Sequence, residues 1–255
     1  MQPYLDSLKD YKKVIGSTKT FLDRKSAEEC TLGDVVTDAF RKSPWSNIDM
    51  SFANAGGLRS VIAKGNITLE DIYSVLPFNN TIDRLTMTGK ALKQVFQDKL
   101  DQDKTFLQVS GAYIEYTKDY ETGNWFVGYI RLPCYNNTKL CYIDDDKVYF
   151  ITVTSYLATG GDGWTFNKHY TKRDIGGSAV DSFRSFIEKH SPLNQSIEGR
   201  IRVTEETEPH QNGPRTIFAL CAINLLMALL FCIGSKYFFK RAEPSRVEVP
   251  YQSFY

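Results

Sequence analysis

Histidine is scarce in this chain, with three in 255 residues. His169, His190 and His210 stand apart, and no His-x-x-x-His or Asp-x-His pattern joins them. The sequence therefore lacks the ligand spacing of a metal centre. A two-metal phosphatase needs a cage of carboxylates and imidazoles around both ions, and this chain is not expected to build one. The run Asp144-Asp145-Asp146 reads as a solvated turn. No glycine-rich phosphate loop and no serine nucleophile elbow is present. An excess of one charge is missing too: a net charge of +1 gives no footprint for nucleic acid. The amino terminus has no continuous apolar stretch of the kind that marks a signal peptide. Cysteine is sparse and odd in number, at five. Cys221 and Cys232 fall in an apolar run, which leaves Cys30, Cys134 and Cys141. Cys134 and Cys141 flank a polar loop; on spacing alone a bridge across a hairpin and two free thiols fit equally well.

What is present is enough apolar residue for a real core, 42%. Residues 1–15 place Tyr4, Leu5, Leu8, Tyr11, Val14 and Ile15 at helical spacing, which predicts an amphipathic helix. Residues 16–26 read as a short strand and turn. A helix is expected from Leu32 to Arg41, with Leu32, Val35, Val36, Ala39 and Phe40 on one face and Thr31 as N-cap. Arg41 then sits at the helix C-terminus, where the dipole favours a cation. Strands are expected at 48–53, 82–88, 106–117, 125–132 and 198–203, and helices at 90–100 and 179–190. Residues 148–155, VYFITVTS, form the most apolar strand and are expected at the centre of a sheet. The irregular alternation of helices and strands predicts a mixed α+β domain.

The stretch from Asn54 to Phe78 carries the densest signal. It opens with Asn-Ala-Gly-Gly, where the backbone can turn tightly or approach a ligand. Arg59 follows, a side chain suited to bidentate capture of phosphate or carboxylate. Thr68 and Asp71 have capping-box spacing, and Pro77 stops the ensuing helix near Leu76. Phe78 then falls on a polar loop. A second aromatic, Tyr156, follows the apolar strand and precedes Gly160-Gly161-Asp162-Gly163. If these loops meet, two rings are placed to hold a planar base.

In order and spacing these motifs resemble the C-terminal, substrate-binding domain of the 5'-nucleotidase family, ecto-5'-nucleotidases in particular. The match runs through Asn-x-Gly-Gly-x-Arg, Gly-Asn-Ile-Thr, Val-Leu-Pro-Phe, Thr81 and Gly89. It continues at Phe106 to Gly111, at Gly160-Gly161-Asp162-Gly163 and at Glu198-Gly199-Arg200-Ile201, and covers roughly Tyr4 to Val203. The resemblance implies that Phe78 and Tyr156 stack on a nucleobase, with Tyr in place of the Phe common in close relatives. It implies that Asp162 binds the ribose hydroxyls and that Arg41, Asn54 and Arg59 hold the phosphate. It favours a Cys134–Cys141 disulfide. It matches Cys30 to a family cysteine whose partner would fall near Ser51, so Cys30 is expected unpaired. The catalytic domain of the family, with its two divalent ions (zinc) and catalytic His, is expected to lie outside this sequence. The implied function is recognition of an AMP-like nucleoside monophosphate in a membrane-anchored 5'-nucleotidase. The alternative is an inactive purine-nucleotide-binding module at the cell surface. Homodimer formation is compatible with either.

The expected organisation is a linker helix at 1–16, the nucleotide-binding domain at 17–204, and a polar linker at 205–215. A transmembrane helix at 216–239 and a cytoplasmic tail at 240–255 complete it. The run from Ile217 to Gly234 is apolar over roughly 18 residues, the minimum for a bilayer span. Lys236, Lys240, Arg241 and Arg246 follow it, which places the carboxyl terminus in the cytosol. Four glycosylation sequons, at Asn66, Asn79, Asn136 and Asn194, put the folded part on the extracellular side of the plasma membrane. Were Met1 the true start, a tail-anchored cytosolic protein would follow instead.

Overall fold

The computed structural model describes residues 11–205 apart from 27, 43, 104, 120 and 135–138. The apolar run 217–234, the basic tail, the sequon at Asn136 and residues 1–10 of the expected linker helix lie outside the described residues. Among the described residues, no helix is long and apolar enough to cross a membrane.

The first element corrects an expectation. Val14 and Ile15 do not close a helix but open strand β1 (Val14–Thr18). Both are β-branched and suit a pleated surface. Their antiparallel partner, β3 (Gly65–Thr68), lies far along the chain, beyond the reach of local periodicity. Helix α1 (Thr31–Lys42) buries Leu32, Val35, Val36, Ala39 and Phe40, the stripe its spacing predicts. Thr31 is its first residue. The Thr31 hydroxyl donates to Asp23 Oδ1 at 2.6 Å and accepts the Asp23 N–H at 2.8 Å. The helix start is thus tied to the preceding loop through Asp23.

Strand β2 (Met50–Asn54) leads into a short 3-10 turn, Ala55–Gly57. After β3, helix α2 (Leu69–Val75) begins with a complete capping box. Thr68 Oγ accepts the Asp71 N–H at 3.3 Å, and Asp71 Oδ2 accepts the Thr68 N–H at 2.7 Å. The helix ends at Leu76, ahead of Pro77. Strand β4 (Ile82–Thr88) runs straight into α3 (Gly89–Gln102), capped by Thr88. The single strand expected over 106–117 is two, β5 (Leu107–Ser110) and β6 (Tyr113–Lys118). Gly111, at φ 81°, turns the chain between them. Strands β7 (Trp125–Pro133) and β8 (Leu140–Tyr142) form a hairpin joined by a Cys134–Cys141 disulfide, while Cys30 is a buried free thiol. Then come β9 (Val148–Thr154), α4 (Ser155–Ala158), α5 (Phe166–His169), β10 (Lys172–Asp174), α6 (Ala179–His190) and β11 (Ile201–Glu205).

The main sheet has the order β10-β4-β9-β2-β5, with β9 at its centre. Tyr149, Ile151 and Val153 of β9 enter one core, with Leu92, Val95 and Phe96 of α3 and Ile114, Tyr116 and Ile130 of the second sheet. Thr152 and Thr154, on the opposite face, are also buried. That face packs on α1 and α6, whose Val35, Val36, Phe40, Val180, Phe183 and Ile187 share a second core with Ile67, Ile72 and Val75. Both faces are covered over the second half of β9; earlier on the α1 side, Val148 and Phe150 are exposed. The result is a three-layer α+β arrangement. The second sheet has the order β11-β6-β7-β8. Its parallel edge strand β11 is anchored by Glu198 to Ile201. Arg200 is buried and reaches both Asp38 oxygens at 3.0 Å, and the Glu29 carboxylate accepts the Glu198, Gly199 and Ile201 N–H groups. Asp34 lies buried in the same cluster, and burial pushes its carboxyl up to about 8 against the pull of Arg200.

Strand directions decide which loops meet. β2 and β9 are parallel neighbours, so Asn54 and Thr154 finish at the same edge of the sheet. β4 runs antiparallel to β9 with Ile82 opposite Thr154, which brings the loop ahead of β4 to that edge. Three segments therefore converge there: 54–59, 78–81 and 155–163.

Candidate functional site

The converging loops enclose a cleft of about 330 Å³, lined by Asn54, Gly56, Gly57, Arg59, Phe78, Asn80, Tyr156 and Asp162. This is the position that open sheets favour for ligands, outside the carboxyl ends of parallel strands. Five of the six candidate ligand residues, Asn54, Arg59, Phe78, Tyr156 and Asp162, lie here. The two rings are half-exposed, Phe78 at 49% and Tyr156 at 44%. Neither is core packing, and both open onto the same cleft.

Asp162 is the hub. It sits in the 3-10 turn Gly161–Gly163 with φ 52°, a left-handed conformation that Asp tolerates better than most residues. Flanking Gly160 (φ 98°) and Gly163 (φ 76°) share that handedness, while a Cβ on Gly161 would stand 2.5 Å from the Tyr156 ring. Asn54 Nδ2 donates to Asp162 Oδ2 at 2.7 Å, and the Tyr156 hydroxyl donates to Oδ1 at 2.7 Å. The Asp162 N–H returns a bond to the Tyr156 oxygen at 3.2 Å. The bond to the carboxylate raises the Tyr156 phenol above its ordinary value. Beneath the turn, the buried Lys99 amine donates to the Asp162 carbonyl and pairs with Asp103 at 2.6 Å. The loop is thus pinned from below by a cation and from the side by an amide and a phenol.

The glycines after Asn54 act through space rather than handedness. Neither has a left-handed backbone. A Cβ on Gly57 would stand 2.9 Å from Asn54 Oδ1, so the small residue leaves room for the Asn54 side chain that orients Asp162. Arg59 is exposed, donates from Nη1 to Gly56 O at 3.2 Å, and lies 6.0 Å from the Phe78 ring centroid.

Arg41 is not part of this cleft. A helix that precedes a strand and packs on it ends where the strand begins, so Arg41 lies at the far edge of the sheet. Its Nε donates to Ser110 Oγ at 2.8 Å, and Ser110 pairs with Ser51 near the start of β2. Four strand steps, about 13 Å at the usual rise, separate Met50 from Asn54. The connection order α1-then-β2 was the available signal. Asn54 lines the cleft, with one of its two amide N–H donors engaged by Asp162. Asn80 is a lining residue that sequence reasoning missed; its Oδ1 accepts a bond from Ser155 Oγ at 3.3 Å. Its place in the polar loop directly after Phe78 marked it.

Among the described residues, no group of three or more His, Cys, Asp or Glu is placed to hold a metal ion. Of the sequon asparagines, Asn66, Asn79 and Asn194 are exposed.

Fold and cleft together define a class: an α+β domain that presents two aromatic rings and a fixed carboxylate at the carboxyl ends of a parallel strand pair. The family model "5'-nucleotidase, C-terminal domain" matches residues 14–169, and the chain belongs to that family. It is 29% identical over 239 residues to a 5'-nucleotidase of Mus musculus, covering 84% of this chain and 41% of the relative. It is 31% identical over 223 residues to a snake venom 5'-nucleotidase of Macrovipera lebetinus, covering 77% of this chain and 54% of the relative. Among solved structures it superposes on a 5'-nucleotidase precursor from Thermus thermophilus with a TM-score of 0.69 and 28% identity, over 80% of this chain and 42% of that one. The chain thus spans about two fifths to one half of the length of these relatives.

Proposed function

We propose that this chain recognises a nucleoside 5'-monophosphate, AMP-like, as the substrate-binding part of a cell-surface 5'-nucleotidase. The observation that carries the reading is the pair of half-exposed rings, Phe78 and Tyr156, lining one cleft with the Asp162 carboxylate. A base between the rings gains about 1–3 kcal/mol of stacking from each. An ionised carboxylate offers about four lone-pair sites. Asn54 and Tyr156 occupy one on each oxygen, leaving one on each for the two vicinal hydroxyls of ribose. Arg59, exposed and without an ion-pair partner among the described residues, takes the phosphate. Asn54 serves this site by fixing Asp162 rather than by touching phosphate.

Hydrolysis in the complete protein draws on two divalent ions, zinc, held by a domain outside the described residues; they supply the activated water and the charge clamp of phosphate-ester cleavage. The apolar run 217–234 anchors the protein in a bilayer, and the exposed sequons carry glycans. Calorimetry of the chain with AMP tests the reading. One saturable site that Phe78→Ala weakens about tenfold, within the stacking range, supports it; heat of dilution alone rejects it.

A further inference from the structure

We propose a second binding site, for a small phosphorylated molecule, at the opposite edge of the main sheet. A cleft of about 570 Å³ opens there between the ends of α1 and α6, a size within the range of small-molecule sites. Arg41 and Lys42 come from the last turn of α1, and Lys189 and His190 from the last turn of α6. All four line the cleft, and its described lining holds no carboxylate. Among the described residues, none of Arg41, Lys42 and Lys189 is in an ion pair. Arg41 is held by one bond, from Nε to Ser110 Oγ, which leaves its terminal nitrogens for a ligand.

The wall of the cleft is built and fixed. Phe186 and His190 stack at 4.1 Å with 21° between their planes, and Lys42 Nζ lies 5.1 Å from the Phe186 centroid. Trp45 is held by a 3.2 Å bond from Nε1 to Ile82 O, with the Arg84 guanidinium 4.7 Å from its ring. Helix dipoles favour cations at both helix ends, which accounts for their presence there. It does not balance three cations gathered around one concavity. A phosphate dianion relieves that mutual repulsion, and Arg41 offers it a planar pair of donors. The aromatic wall suits an organic moiety attached to the phosphate. This site shares no lining residue with the Asp162 cleft.

Calorimetry of the full chain with inorganic pyrophosphate at low ionic strength is the test. One saturable site is expected. Lys42→Ala combined with Lys189→Ala should weaken it at least about tenfold, the scale of lost hydrogen bonds to charged groups. Neither lysine amine makes a hydrogen bond within the described residues, so near-ultraviolet circular dichroism should be unchanged. Arg59→Ala and Asp162→Ala should leave this binding intact. The proposal is overturned if no saturable binding appears, if the double lysine variant binds as well as the parent, or if Arg59→Ala abolishes binding. It is also overturned if a heparin oligosaccharide binds and pyrophosphate does not, since that outcome assigns the patch to a polysaccharide.

Discussion

The two edges of the central sheet carry opposite chemistry. At the carboxyl ends of β2 and β9, one carboxylate, two amides, one phenol and one phenyl ring meet a single exposed guanidinium. At the other edge, the ends of α1 and α6 bring three cations to an aromatic wall without an acid. The first edge is organised by hydrogen bonds that converge on Asp162; the second is organised by packing, and among the described residues its Arg41, Lys42 and Lys189 are in no ion pair. A polar cluster locked by its own bonds is suited to reading the shape and hydroxyl pattern of a ligand. Loose cations on a rigid wall are suited to charge. The same strand direction that joins the loops at one edge places Arg41 at the other.

Substitutions that remove one edge and spare the other sharpen the contrast. The largest effect is expected from Asp162→Ala, which removes the hub. Nucleoside affinity should fall about ten- to a hundredfold, as for hydrogen bonds to a charged group, with pyrophosphate binding unchanged; calorimetry with both ligands reads this. Phe78→Ala follows, losing about 1–3 kcal/mol of stacking with AMP and with adenosine alike. Arg59→Ala should cost about tenfold for AMP and little for adenosine, so the ratio of the two dissociation constants is the readout. Tyr156→Phe keeps the ring and loses the hydroxyl that orients Asp162, a change of about 0.5–1.5 kcal/mol. Arg41→Ala should not alter AMP affinity at all. Loss of AMP binding in that variant would merge the two edges into one site and break the comparison.

Much of this architecture was legible where one segment carries its own reason. The Thr68–Asp71 cap, the stop before Pro77, the buried stripe of α6 and the central β9 depend on neighbours within a few residues or on burial of both faces. β1 was legible only from residue 16 onward; that it begins at Val14 depends on a distant partner, Val14 pairing with Thr68 and Gly16 with Ile67. The short elements α4, α5, β8 and β10 are three or four residues long, too short for any period to register. The ring pair and Asp162 were singled out by motif, yet their mutual bonding was not. That Asn54 donates to Asp162 depends on the parallel register of two strands a hundred residues apart. Arg41 was assigned to the helix end it occupies, and only the helix direction relative to β2 places it away from the cleft.

Adenosine and 2',3'-dideoxyadenosine differ only in the two hydroxyls that the fixed Asp162 carboxylate is placed to accept. Titrating the chain with each by calorimetry isolates that single contact. The account predicts a saturable adenosine site and a loss of about tenfold or more for the dideoxy compound. Equal affinity for the two, or saturable binding of neither, contradicts it.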